Sequence, residues 1–217
     1  MSSILNEIWI ARFPLLQGVV NTIEISVLAI ILGTLLGTIV GLALVYGPLF
    51  VRYLCRIYID IMRGTPVLVL VLATFYMPAV FGLKTGSFIA GIIALTLFCG
   101  SHVAEILRGA LQAIPRGQTE AGRSIGLTFP QTLLYVLLPQ AMRSMLPTWI
   151  NTSVELVKAS TLLSVIGVGE LLLKTQEIIA RNSMTMEFYL LAGGIYLILN
   201  FAIERLGKAV ERHVAFR

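Results

Sequence analysis

The feature that most constrains this chain is its set of long uncharged apolar runs. Ile25 to Val45, Gly64 to Leu83, Thr85 to Ala104 and Phe188 to Ile203 each pass without an Asp, Glu, Lys or Arg. A helix needs about 20 mainly apolar residues, at ~1.5 Å each, to cross ~30 Å of hydrocarbon. The first three runs meet that length unaided, and the fourth meets it with a turn added at each end. Only 12% of the 217 residues are charged against 57% hydrophobic, roughly half the ~25% charge of a soluble domain. Such a chain cannot dress the outside of a water-soluble globule. The expected fold class is therefore an all-α integral membrane protein with about five transmembrane helices.

Two further stretches compete to supply the remaining span. Ser124 to Met142 is uncharged but carries Pro130, Gln131, Pro139 and Gln140. Ser144 to Gly169 is apolar apart from Glu155 and Lys158. Loop charge decides between them, because cytoplasmic loops collect Lys and Arg. If only the second stretch crosses and the N-terminus is outside, the inner side receives Arg52, Arg56, Arg63, Arg108, Arg116, Arg123, Arg143, Arg205, Lys208, Arg212 and Arg217. The outer side then receives only Arg12, Lys84, Lys174 and Arg181. Letting both stretches cross would divide the basic residues between the two sides. The expected spans are thus about 19–46, 57–82, 86–107, 144–168 and 187–206. An N-terminal segment, 1–17, precedes them, with Ile4, Leu5, Ile8 and Trp9 at helical spacing as in a short interfacial helix interrupted by Pro14. The net charge of +5 is thereby spent on topology, and no nucleic-acid partner is expected.

The uncharged runs leave one conspicuous inner loop, 115–140. It reads Glu120-Ala121-Gly122, three residues, Gly126, nine residues, Val136, one residue, then Leu138-Pro139. Glu120, Ala121 and Arg123 suit a short surface helix, Gly126 permits the positive-φ turn that ends it, and Thr128-Phe129-Pro130 reads as a cap and a fresh helix start. This pattern resembles the EAA loop of bacterial ABC importer permeases, with Gly122 in place of the second Ala and Val136 in place of Ile. The likeness extends over most of the chain through Arg63-Gly64-Thr65-Pro66, Ala104-Glu105-Ile106-Leu107-Arg108-Gly109, Leu138-Pro139-Gln140-Ala141 and Ser160-Thr161-Leu162-Leu163-Ser164-Val165-Ile166. Together these look like the polar amino-acid branch, which serves histidine, glutamine, glutamate, arginine and opine uptake. That branch usually reads Lys-Asp-(Thr or Ser)-Ser-Leu where this chain has Lys158-Ala159-Ser160-Thr161-Leu162, so an acidic residue is missing.

The resemblance implies a type I ABC importer permease fold over 18–213 with cytoplasmic coupling helices, in a bacterial inner membrane, N-terminus outside and C-terminus cytoplasmic. It implies ATPase coupling through Glu120, Ala121, Gly122, Gly126, Leu138 and Pro139. Implied partners are two ATPase subunits holding the ATP and Mg, a second permease copy or paralogue, an extracytoplasmic substrate-binding protein that meets the region 170–181, an amino-acid substrate and membrane lipid. The chain itself shows no Gly-x-x-x-x-Gly-Lys-(Ser or Thr) loop, so no cofactor is expected in it.

Ionisable residues at membrane depth are costly, by roughly 2.5–3.5 kcal/mol on insertion scales, and mark candidate sites. Glu155 and Lys158 lie three apart and can pair on one helical face; Asn151, Ser153, Ser160 and Thr161 add polar groups nearby. They are expected either to line the translocation path or to form a structural pair against a neighbouring helix. Asn21 and Glu24 could meet substrate at the outer side. Arg63 and Glu105 are expected to form a structural ion pair between the second and third spans. Gly33, Gly37 and Gly41 form a small-residue stripe, read as packing within the subunit rather than a dimer seam. Cys55 and Cys99 have no metal or redox spacing, and neither His102 nor His213 has paired ligands, so no metal or catalytic set is expected. The competing class is a self-sufficient secondary transporter or channel, which would work without an ATPase and leave the 120–139 pattern unexplained.

Overall fold

The computed structural model describes the backbone of residues 2–214 and the side chains of residues 5–212. Readings that rest on Met1, Arg217 and the side chains of Ile4 and His213 lie outside these. Among the described residues every regular element is helical. α1 runs from Ser2 to Tyr46, α2 from Leu49 to Gly64, α3 from Val67 to Val80 and α4 from Ser87 to Ala113. α5 covers Arg116–Ser124 and α6 covers Phe129–Thr132. A π-helical stretch, Leu133–Leu137, leads into α7, Leu138–Ala159, which tightens into a 3-10 stretch over Ser160–Ile166. α8, Leu171–Asn182, and α9, Thr185–Val214, are the last of the described elements.

α4 is the central post. Its small residues Ala90, Gly91, Ala94, Cys99, Gly100, Ser101 and Ala104 are buried, and α1, α2, α3 and α7 all pack on it. The seam with α1 uses the glycine stripe. A Cβ on Gly33 would lie 2.5 Å from the Cys99 Cβ, one on Gly37 would lie 2.6 Å from the Gly100 carbonyl oxygen, and one on Gly41 would lie 2.9 Å from the Ala104 carbonyl oxygen. The stripe therefore serves packing within the subunit. Its register also makes α1 and α4 parallel, with α1 residue 21 level with the start of α4. The first five turns of α1 rise beyond α4 and pack on α8 and the start of α9 through Ala11, Leu15, Leu171, Ile178 and Phe188.

Among the described residues three helices are long and apolar enough to cross a membrane, within α1, α4 and α9; two bent pairs bring the number to five if each pair is one span. Three sequence expectations change in detail. The segment 1–17 is not a separate helix: α1 passes through Pro14 without a break. The packing of Ala11 and Leu15 against α8 and α9 supports the helix on both sides of the lost hydrogen bond. The span expected over 57–82 is two helices meeting at 110°. Thr65 precedes Pro66 and adopts φ −98°, ψ 134°, because a residue before proline is driven out of the helical region.

The third change concerns the inner loop. The helix that restarts at Phe129 does not stop short but runs through the π and 3-10 stretches to Ile166, a rod roughly 57 Å long at ~1.5 Å per residue. Pro139 would break an ideal helix by colliding with the carbonyl four residues back. The π stretch absorbs it: Leu138 N–H donates to the Leu133 carbonyl, five residues back, widening the turn ahead of the proline.

Candidate functional site

The residues expected to couple to an ATPase form one compact projection. α5 ends in a Schellman motif, with the Leu127 N–H on the Gly122 carbonyl at 3.1 Å and the Gly126 N–H on the Arg123 carbonyl at 2.9 Å. Gly126 sits at φ 84°, a conformation a side chain disfavours. The rod then starts at Thr128, whose backbone N–H and hydroxyl both donate to the Gln131 Oε1 at 2.9 Å. Gln140 staples the two elements by donating to Gln118 Oε1 at 3.2 Å while holding the Val136 carbonyl at 2.8 Å. The Phe129 ring meets Tyr46 edge-on at 5.1 Å, tying the projection to the end of α1. Glu120, Ala121, Arg123, Gly126 and Pro139 are exposed, Leu138 is half-buried and Gly122 is buried. Ile125 is 77% exposed, leaving an apolar tip beside the Glu120 carboxylate.

The structure divides the path candidates. Ser144, Thr148, Asn151, Glu155 and Lys158 recur at alternating spacings of four and three and are all exposed, so they share one face of α7. The opposite arc, including Met145, Ser153, Leu156 and Val157, is buried. Glu155 and Lys158 do not pair with each other, and among the described residues neither makes a salt bridge, although the Lys158 charge acts at longer range on Glu204 of α9. Ser153 and Ser160 are withdrawn from this face: both are buried and donate to the Trp149 and Val157 carbonyls, at 2.9 and 2.8 Å. Thr161 is half-buried and donates to the Lys158 carbonyl at 2.7 Å.

The expected Arg63–Glu105 pair does not form. Glu105 instead holds Arg108 at 2.6 Å and Arg56 of α2 at 3.7 Å. α2 runs beside α4 with the Tyr58 hydroxyl on the Leu97 carbonyl at 2.7 Å. Arg63 lies seven residues beyond Arg56, ~10 Å along the helix axis, where it is exposed.

Sequence reasoning missed Glu170. This side chain is fully buried at the N-cap of α8, where its carboxylate accepts from Leu172 N–H at 3.0 Å, Leu173 N–H at 2.8 Å and the Tyr196 hydroxyl of α9. Thr22 of α1 accepts from Leu171 N–H at 3.1 Å, and Asn21 donates to the Gly169 carbonyl at 2.7 Å. Asn21 is therefore engaged in holding this junction, while Glu24 is exposed on α1. The signal was faint: an acidic residue between Gly169 and the run Leu171-Leu172-Leu173 suits a helix start, but glutamate is not among the usual N-cap residues. Among the described residues no cluster of His, Cys, Asp or Glu could hold a metal ion.

The chain matches the family described as binding-protein-dependent transport system inner membrane component over residues 29–216. It is 36% identical to the L-cystine transport system permease protein of Bacillus subtilis (strain 168), covering 93% of this chain and 87% of the relative. It is 34% identical to the glutamine transport system permease protein of Escherichia coli (strain K12), covering 96% of each. A crystal structure of an amino acid ABC transporter with histidines superposes with a TM-score of 0.86 at 31% identity, over 92% of this chain and 94% of that one. The inward-facing methionine transporter MetNI superposes with a TM-score of 0.79 at 23% identity, over 94% of this chain and 98% of that one, a likeness of fold.

Proposed function

Because the chain belongs to the family of binding-protein-dependent transport system inner membrane components and is the permease component of an ABC importer, we propose that it lines the path of an amino acid with the polar face of α7. The observation that carries this reading is the exposed row Asn151, Glu155 and Lys158, set within an otherwise apolar span. A charge left unpaired at membrane depth belongs beside water or a polar ligand, not lipid. Glu155 and Lys158 supply opposite charges three residues apart, suited to the α-ammonium and α-carboxylate of a zwitterion. The cystine and glutamine named in the relatives support that substrate class.

One such face makes half a wall, so a second permease copy or paralogue closes the path. Two ATPase subunits dock on the α5 projection, and a substrate-binding protein delivers solute at the opposite end. ATP hydrolysis belongs to the ATPases, which hold ATP and Mg. Nucleotide binding draws the two α5 projections together and turns the path outward, and hydrolysis releases it inward. The N-terminus lies outside and the C-terminus in the cytoplasm, a placement supported by the basic residues gathered at the α5 end of the bundle.

In the reconstituted complex with its ATPase and binding protein, Glu155→Gln and Lys158→Gln are each expected to lower substrate-stimulated uptake by roughly 10-fold or more, the loss of one charged hydrogen bond. Parental uptake in both variants would remove the α7 face from the path.

A further inference from the structure

We propose that Thr132 is the residue that sets the docking angle of α5, and that Gly122 is glycine because Thr132 stands against it. The inference rests on the reading of α5 as the ATPase-coupling element. Gly122 is the position where this chain departs from the Glu-Ala-Ala pattern, and it is buried in the inner turn of α5. A Cβ built on it would lie 2.9 Å from Thr132 Cγ2 and 3.0 Å from Thr132 Oγ1, closer than carbon atoms pack. Whether the collision matters depends on whether Thr132 can yield.

Three observations hold Thr132 in place. It is only 1% exposed, so neighbours surround it. Its hydroxyl donates to the Thr128 carbonyl at 3.1 Å while its N–H donates to the same oxygen at 2.8 Å, so rotation about χ1 gives up a hydrogen bond. It is β-branched, which restricts χ1 further. On the other side, the Gly122 carbonyl is tied to Leu127 N–H by the Schellman turn. Relief of the overlap must therefore come from α5 swinging away from the rod as a unit. That motion displaces Glu120 and Ala121, exposed on α5, and Ile125, exposed at its C-cap. Thr132 touches no ATPase residue itself; it positions those that do.

The test is a double-mutant cycle on substrate-stimulated ATP hydrolysis by the reconstituted complex, with uptake measured in parallel. Gly122→Ala is expected to lower stimulated hydrolysis by about tenfold. In a Thr132→Ala background, where Cγ2 and Oγ1 are gone, the same glycine change is expected to cost less than about twofold. Thermal stability of all four proteins in detergent separates this from a loss of folding, because the rod and the membrane core do not depend on the angle of α5. A Gly122→Ala variant as active as the parent overturns the proposal, and so does an equal loss in both backgrounds. Glu120→Arg in the parent is the control for the underlying reading: unchanged stimulation there means α5 is not the coupling element at all. Loss of stimulation with Glu120→Arg, beside a harmless Gly122→Ala, rejects the Thr132 contact alone.

Discussion

Gly37→Leu is expected to yield no stable permease. The Cβ position of Gly37 lies 2.6 Å from the Gly100 carbonyl oxygen and 2.6 Å from the Val103 Cβ. The first is backbone and the second is the stem of a side chain on the central helix, so neither can swing aside. A leucine fits only if α1 and α4 separate, which also opens the contacts at Gly33 and Gly41. In lipid this loss has no compensation, because apolar side chains freed from a helix seam meet hydrocarbon as apolar as themselves, and close packing is what holds the helices together. Overpacking a tight site costs about 1–3 kcal/mol for small insertions; a whole isobutyl group on a backbone-to-backbone seam belongs at or above the top of that range. The midpoint of thermal aggregation in detergent and the monodisperse fraction on size exclusion measure it. Gly37→Ala falls between parent and leucine variant. A leucine variant with the parental midpoint would mean that the seam is not this close.

The second large effect is expected at Glu170. Glu170→Ala leaves the Leu173 N–H and the Tyr196 hydroxyl without this acceptor, and takes one of two from the Leu172 N–H, around a fully buried side chain. Each buried donor so stranded costs about 1–3 kcal/mol, so the variant is expected to lose about 3 kcal/mol or more. For a chain of this length that corresponds to a fall of roughly 6–12 °C in melting midpoint. Glu170→Gln keeps one acceptor oxygen and loses less; Tyr196→Phe removes a single donor and loses about 1 kcal/mol. The damage is local in origin, since the carboxylate joins the start of α8 to α9 and sits beside the Thr22 and Asn21 contacts of α1. A Glu170→Ala variant melting with the parent would deny the junction any part in holding α8.

The spans now occupied by α1, α4 and α9 were legible because an uncharged run long enough to cross has few other uses in a folded chain. The break between α2 and α3 falls at the start of such a run: a span drawn over 57–82 averages across Thr65-Pro66, while the backbone responds to that single dipeptide. The rod from Phe129 to Ile166 was obscured for the opposite reason. Pro139 looks like a terminator, and nothing in its neighbours announces the π stretch that accommodates it.

At the site, the turn chemistry of the inner loop was readable residue by residue. Gly126 at positive φ and the Thr128–Gln131 contact both follow from local rules. Which side chains on α7 are exposed was not readable, because burial is decided by neighbours distant in sequence. Ser160 and Lys158 stand two residues apart and go to opposite environments. Ion-pair choice failed similarly: Arg56 and Arg63 sit on one face of α2, and only the height at which α2 meets α4 selects Arg56 for Glu105.

The central claim, that this permease moves solute only when an ATPase drives it through α5, is tested most directly by uptake into liposomes. The chain is reconstituted with and without an ATP-binding-cassette ATPase, with the binding protein and labelled amino acid outside and ATP inside. Uptake that requires both the ATPase and ATP is the predicted result. Uptake by the chain alone, down a solute or ion gradient and without nucleotide, would contradict it.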